Sequence, residues 1–533
     1  MSKKRVLSMV LALAMTVGLT ACKSEKNGNQ GGSNLPAGEV SYPIKEAEGM
    51  KLTYWKDLDA DVSKVAVTEN DTEFYKYLEE GTGIEVEFIH PPAGQAAEKF
   101  NLMLTSGDLP DIFQYNLSKT AEGAETLVKN GYVYPLTEDF LKNYMPNYWK
   151  RLQEDEELRK SVRLNDGTYY AVSSWRESDS MTTYAGPMIR QDWLEDLGLD
   201  MPETIDDWYV TLKAFKEKKG ATAPFTVTST YAFVNGVFTG AYGTNLDFYV
   251  KDGKITHGVY DKSLKDFVVT MNKWYNEGLI DKDFPSINNE QLNTKMLTGK
   301  SGATYGMIGS GMGALLAAAP DETYKLAAAP YPALKKGGVS EFGQKSARYN
   351  EPCFMISATS PNKELAARFL DYGFTEEGHM LYNFGREGVS YEMVDGIPTF
   401  TELITNNPEG ISSALALSKY AHCTYMGAYE MDERFFKQQY AYQEQKDAID
   451  VWKNTNAKDH FIVDYNAATA EEQSEIAKYL TDINIHISEN VTKFIAGIRP
   501  ISEWDKFIEE VKGLNIDKVL ELKQNAYDRY QSR

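Results

Sequence analysis

The sequence predicts an α/β fold in which largely parallel sheets carry helices on their faces. Two observations support this: strand-like and helix-like segments alternate between residues 51 and 115, and amphipathic helical stretches recur along the rest of the chain. At 533 residues the chain exceeds what one core holds, so two or more domains are expected. No internal repeat is present.

The first predicted strand is "KLTYWK", Lys51 to Lys56. Asp71 to Glu80 places Phe74 and Leu78 on one helical face, with Gly81 and Gly83 expected to end that helix. "GIEVEFI" then alternates Ile84, Val86 and Phe88 with Glu85 and Glu87, the period of a half-buried strand. Ala97, Phe100, Met103 and Leu104 share a helical face, "SGDLPD" breaks it, and "IFQY" begins another short strand.

Further on, "IRQDWLEDLGLDMPETIDDWYVTLKAFKEKKG" holds two helices. Gly198 ends the first, Thr204 with Asp207 starts the second, and Trp208, Leu212 and Phe215 form its buried stripe. "DKSLKDFVVTMNKWYNEGLI" is a further amphipathic helix. Ser360 and Pro361 fit N-cap and N1 of a helix with Leu365, Ala366, Phe369 and Leu370 on its face. The tail from Glu471 is helical, with Ile476, Leu480, Ile483 and Ile487 nearly in register.

The N-terminus reads differently. Lys3, Lys4 and Arg5 precede an apolar run, Val6 to Leu19, that at ~1.5 Å per residue falls short of a hydrocarbon core of ~30 Å. It reads as a signal peptide over residues 1–21. Leu19-Thr20-Ala21-Cys22 resembles the lipobox of bacterial lipoproteins, which implies a lipid anchor on Cys22. Residues 22–43, rich in Gly, Asn, Ser and Lys, lack an apolar face and are expected to form a flexible tether reaching about 25 Å.

Composition narrows the partners. No second apolar run is long enough to span a bilayer, which places the folded part in water outside the membrane. A net charge of -21 argues against nucleic acid and anionic lipid headgroups, which it would repel at long range. Beyond Cys22 only Cys353 and Cys423 remain, too few to staple so long a chain. Cys353, in the apolar run "PCFMIS", reads as a buried thiol.

Several motifs suggest chemistry and fail on spacing. "LTGKSG" lacks the first glycine of a P-loop, since Thr294 stands where that glycine belongs. "GSGMGA", Gly309 to Ala314, has dinucleotide-like spacing but no following strand that ends in an acidic residue, and reads as a strand-to-helix turn at a ligand site. Six scattered histidines offer no zinc spacing, so neither metal nor cofactor is expected. Asp57-Leu58-Asp59-Ala60-Asp61 begins like a calcium loop, yet Val62 stands where glycine is required. With 77 acidic residues, carboxylate pairs arise by chance and do not indicate a hydrolase.

Taken together, "LMLTSGDLPDIFQY", "IRQDWLEDLGLDMPETIDDW", "MLTGKSGATYGMIGSG", "ATSPNKELAARFLDY", "NFGREGVSYEM" and the block from Thr492 to Tyr530 resemble the extracellular solute-binding proteins of ABC importers, family 1, particularly carbohydrate-associated lipoproteins of Gram-positive bacteria. The resemblance implies a two-lobed periplasmic-binding-protein-like fold of type II. Residues 44–175 with 352–420 would form the first lobe and 176–351 with 421–533 the second, joined by a multi-strand hinge near Ala171 to Ser178 and Ser346 to Phe354. It also implies a monomeric receptor, held on the outer face of the cell membrane by its lipid, that passes an oligosaccharide to a membrane permease and does no chemistry of its own.

In open α/β sheets ligands bind outside the carboxyl ends of strands, which makes Trp55, Asp57, Asp59, His90 and Asn116 candidates on the first lobe. The hinge would offer Trp175, Arg176, Glu177, Tyr349 and Asn350. The second lobe would offer Tyr231 and Ser310 of the "GSG" turn, with Arg386 and Tyr391 from "GREGVSY" as additions. Sugars present flat C–H faces to aromatic rings and paired hydroxyls to planar polar groups, which is why these residue types are chosen. Gly309 to Gly313 has no aromatic residue where the maltose-binding relative has them, which argues against a malto-oligosaccharide. A peptide- or polyamine-binding receptor is the alternative within binding proteins, because an acidic cleft suits cations. An extracytoplasmic glycoside hydrolase or lyase is the enzymatic one.

Overall fold

The computed structural model describes residues 35–533 apart from 118–122, 423–426 and 464–466. Cys22 and Cys423 lie outside the described residues. The strands are β1 (Lys51–Trp55), β2 (Glu85–Ile89), β3 (Ile112–Tyr115), β4 (Val172–Arg176), β5 (Ala185–Arg190), β6 (Phe225–Thr226) and β7 (Phe248–Lys251). They continue with β8 (Lys254–His257), β9 (Ala303–Met307), β10 (Leu326–Ala328), β11 (Tyr349–Ile356), β12 (Tyr391–Val394), β13 (Ile397–Phe400) and β14 (Glu430–Met431).

Two sheets organise the molecule. The first has the order β14-β4-β11-β3-β1-β2, with β11 antiparallel to both its neighbours and the other pairs parallel. The second has the order β10-β5-β9-β6, in which β5 is the reversed strand. Each sheet therefore has one strand against a common direction. Short hairpins, β7-β8 and β12-β13, decorate the two lobes.

Local sequence explains the first lobe. On β2 the alternating side chains put Val86 and Phe88 in the core and Glu85 and Glu87 in solvent. The helix Glu73–Thr82 buries Phe74, Tyr75 and Leu78 and ends at Gly83, whose φ of 73° is the left-handed conformation that glycine adopts without strain. Gly81 is not the terminator. It sits inside the helix, where an added Cβ would lie 2.4 Å from the Tyr372 hydroxyl. The "SGDLPD" motif is also structural: Asp111 is buried, and its Oδ2 accepts from Thr53 N–H (2.8 Å) and Thr53 Oγ1 (2.9 Å). Its Oδ1 accepts from Ser360 Oγ (2.5 Å), tying β1, the start of β3 and the segment after β11 together.

The chain leaves the first lobe through β4 and returns through β11, the two strands lying side by side with Tyr349 opposite Trp175. Between them, 177–348 builds the second sheet. β14 gives a third crossing. It pairs with β4, and Gln438 of the helix Glu433–Gln438 hydrogen-bonds β13. The chain then enters the second lobe with the helix Gln443–Trp452, where the buried Trp452 indole N–H is shared between Pro187 O and Ala329 O, 3.1 Å from each.

Of the segment expected as a tether, residues 35–43 are described and are packed on the protein. Leu35 is buried, Gly38 N–H donates to Asn143 O at 2.8 Å, and the guanidinium of the buried Arg368 collects the carbonyls of Pro36, Gly38 and Asn143. Residues 35–43 are thus a strap on the first lobe. At the other end, helices Ala470–Ile495 and Ile516–Gln531 pack in the second lobe, while Arg533 reaches across to Lys160 O (3.1 Å), Arg163 O (2.6 Å) and Asn165 Oδ1 (2.8 Å).

Candidate functional site

The carboxyl ends of β1, β2 and β3 form one candidate wall, and those of β6 and β9 form another. On the first wall Asp57 is exposed just past β1 and Asn116 is half-buried just past β3. Asp59 is spent on its own turn, where its Oδ1 accepts from the N–H groups of Asp61 (2.8 Å) and Val62 (3.3 Å).

His90 is also committed. Its Nδ1 lies 2.9 Å from Lys56 O, and its Nε2 lies 3.3 Å from Glu69 N, which donates to it. Nδ1 therefore carries the proton and the ring is neutral. Burial holds its pKa below the ordinary value. The ring pins the 56–69 loop to the end of β2. Under that loop Lys56 and Glu69 make a buried ion pair at 2.5 Å.

Four of the aromatic candidates are buried. Trp55 is buried between Phe100 and Tyr115, each 6.1 Å away, because its side chain points from β1 into the helix-covered face. Trp175 is fully buried, with its indole N–H 3.3 Å from Asp155 Oδ2. Tyr349 is buried with its hydroxyl 2.6 Å from both Tyr170 Oη and Cys353 Sγ. Tyr391 packs on Phe384 in the core beside the β12-β13 hairpin. None of these rings is open to a ligand in this structure.

The charged candidates near the hinge are structural as well. Arg176 is buried and gives its Nη1 to Ala347 O at 2.5 Å. The exposed Glu177 accepts from Glu433 N–H at 2.8 Å, which caps the helix after β14. Arg386 lies over the Tyr77 ring at 3.7 Å and pairs with Glu80, both on the first lobe's own helix Glu73–Thr82. Tyr231 begins the short helix Tyr231–Val234 and Asn350 lies in β11.

Ser310 lies at a pocket. After β9 the chain makes a single wide π-helical turn, Ile308–Gly313, before the helix Ala314–Ala317. Such wide turns recur at functional sites. Ile308 and Met312 are buried, Ile308 N–H donates to Tyr184 O at 2.8 Å, and Gln445 Nε2 donates to Ile308 O at 2.8 Å. With those two residues as anchors, Gly309 and Ser310 are left exposed. Gly306 and Gly311 approach so closely around Met188 that a Cβ on Gly306 would lie 2.6 Å from the Met188 methyl.

This turn closes a pocket of about 210 Å³ at the carboxyl end of the second sheet, with Thr228 and Tyr305 on its strand side. Its other rim is the helix Asn289–Leu297, on which Leu292 and Met296 are buried, while Asn289 and Asn293, four residues apart, share the face toward the pocket. Sequence reasoning reached Ser310 and missed Thr228, Asn289 and Asn293. The available signals were the position of Thr228 just past a buried strand and the i, i+4 asparagine pair behind an Asn288 cap.

Residues 57–380 match the family model for bacterial extracellular solute-binding proteins. The chain belongs to that family. It is 29% identical over 388 residues to Lipoprotein LipO of Bacillus subtilis, covering 70% of this chain and 74% of that one. It is 25% identical over 569 residues to the fructooligosaccharide ABC transporter substrate-binding protein FusA of Streptococcus pneumoniae, covering 98% of each. Among solved structures, alginate-binding protein AlgQ2 without calcium ion superposes with a TM-score of 0.70 at 22% identity, covering 92% of this chain and 100% of that one. That likeness establishes the two-lobed fold. As a solute-binding protein the chain is a binding protein and not an enzyme, which removes the hydrolase reading. Among the described residues no helix is long and apolar enough to cross a membrane.

Proposed function

We propose that this chain is the substrate receptor of an ABC import system, held on the outer face of the cell membrane through a lipid on Cys22. It takes an oligosaccharide between its lobes and presents it to the membrane subunits of the permease. The full-length likeness to FusA, whose name gives a fructooligosaccharide ligand, supports the sugar class. The name of LipO supports the lipidated cysteine.

The first lobe we define as 44–175 with 352–420, extended through the helix that follows β14. The second is 176–351 with the remainder of the chain. Asp57 and Asn116 from the first lobe and Ser310 from the second are the candidates we keep as ligand contacts. Calorimetric titration with neutral and acidic oligosaccharides, a tripeptide and spermidine tests the reading. Binding of the tripeptide or spermidine with no response to any sugar sinks it. Cys22→Ser should move the protein out of the membrane fraction or leave it unprocessed, because the acyl chains are the membrane-retaining element. Normal processing with membrane retention would exclude the anchor.

A further inference from the structure

The pocket below the Ile308–Gly313 turn has a distinctive chemistry. Its lining includes no lysine, arginine, histidine or carboxylate. Its polar side chains outside the strands, Thr228, Asn289, Asn293 and Ser310, are all neutral, and among the described residues no hydrogen bond occupies any of them. Elsewhere in this molecule accessible polar side chains are spent: the exposed Asn288, beside Asn289, caps its helix, and the half-buried Asp59 and Asp61 serve their own loop.

Among the described residues Lys295, Lys56 and Arg176 are engaged within the protein. Lys295, two residues past Asn293, places its ammonium 2.7 Å from Asp281 Oδ2 and 3.1 Å from Asp283 Oδ2. On the first wall Lys56 is buried against Glu69 and Arg176 is buried against Ala347 O, which among the described residues leaves Asp57 as the exposed charge just past β1. A carboxylate entering such a pocket would lose its water and gain no counter-charge, in a chain of net charge -21. Amides and hydroxyls, by contrast, both donate and accept, as a sugar hydroxyl requires.

Resting on the oligosaccharide reading above, we propose that this pocket selects an uncharged sugar residue and rejects uronates, which makes the protein a receptor for neutral oligosaccharides. Asn289, Asn293 and Ser310 determine that selection. Met188, Leu292 and Leu315 supply the apolar floor against which a ring's C–H face rests.

The test is calorimetry on the full chain in detergent. Kestose, raffinose and maltotriose serve as neutral probes, trigalacturonate and trimannuronate as acidic ones. At least one neutral trisaccharide should bind, with affinity insensitive to salt, and both uronates should be at least about 100-fold weaker. Asn289→Ala and Ser310→Ala should each weaken the neutral ligand about 3- to 10-fold without lowering the melting temperature. Asn293→Lys should strengthen trigalacturonate binding at least about tenfold and make it salt-sensitive. Tighter binding of a uronate by the unaltered chain would overturn the selection while leaving the sugar receptor intact. So would unchanged neutral affinity in both alanine variants. Failure of every sugar to bind, neutral and acidic, would instead remove the parent reading.

Discussion

Arg348 lies over Trp175, its guanidinium carbon 4.7 Å from the indole centroid, while its Nη2 reaches Asp155 Oδ2 at 2.9 Å. The same side chain donates from Nε to Arg176 O at 3.0 Å. Two crossing strands and the helices behind them are therefore locked at a single indole, in the part of the molecule where the lobes join.

Trp175→Ala should accordingly act on the fold. Removing a fully buried tryptophan costs about 3–5 kcal/mol, and here it also takes away the ring under the Arg348 guanidinium and one donor to Asp155. Urea denaturation should show that loss, with sugar affinity of the remaining folded protein changed far less. A variant with the parent's denaturation midpoint but no affinity would instead place the indole at the ligand.

The strap over residues 35–43 gives a second outcome. A chain beginning at residue 35 should melt like the full protein, because Arg368 still holds the carbonyls of Pro36 and Gly38. A chain beginning at residue 44 should melt lower, because that guanidinium, buried and short of two acceptors, carries an uncompensated charge. Equal melting temperatures for the two would show the strap to be idle.

These two outcomes mark how far the sequence could be read. Period-two alternation gave β2, and the box of Thr204 and Asp207 gave the helix Ile205–Lys218 with Trp208, Leu212 and Phe215 buried, because local chemistry decides both. Ser360 and Pro361 were less informative. Ser360 is drawn to Asp111 across the sheet, and the helix begins two residues later, at Lys363. The site was harder still. Trp and Tyr at strand ends fit sugar binding and core packing equally well by type, and the neighbours that bury Trp55, Trp175 and Tyr349 come from residues tens to hundreds of positions away. Asn289 and Asn293 carry no motif, and only tertiary placement brings them to the Ser310 turn.

Two buried titrating groups give stability a composite pH dependence. Burial raises the Asp371 carboxyl to about 7 and lowers the His257 imidazole to about 3. Asp371 is protonated in the native state where the unfolded chain has lost that proton. Its contribution is full below pH ~4 and is lost as pH rises to 7, at up to about 1.4 kcal/mol per unit. His257 stays neutral where the unfolded chain binds a proton, so its contribution is lost as pH falls from ~6.5 toward 3. The two slopes oppose each other between about pH 4 and 6.5. Asp371→Asn should therefore steepen the acid loss in that window. A denaturation series whose slope is unchanged there would rule out the raised carboxyl.

Closure upon the ligand is the outcome on which the receptor mechanism depends. The lobes are joined by β4, β11 and the run after β14, strands that can bend without unfolding either core. A sugar that contacts both walls favours the closed arrangement by its difference in affinity for the two states. At one hundred times its dissociation constant it should add about 2.7 kcal/mol of apparent stability. The radius of gyration measured by solution scattering should fall at the same time. Arg533 bears on this equilibrium, because its helix packs in the second lobe while its guanidinium donates to Arg163 O and Asn165 Oδ1 of the first. Arg533→Ala should enlarge the ligand-free radius and leave the liganded one unchanged, since the sugar then supplies the bridge. A ligand that stabilises the protein without compacting it would exclude lobe closure, and an Arg533→Ala chain with the parent's ligand-free radius would show that this contact moves with the lobes and does not restrain them.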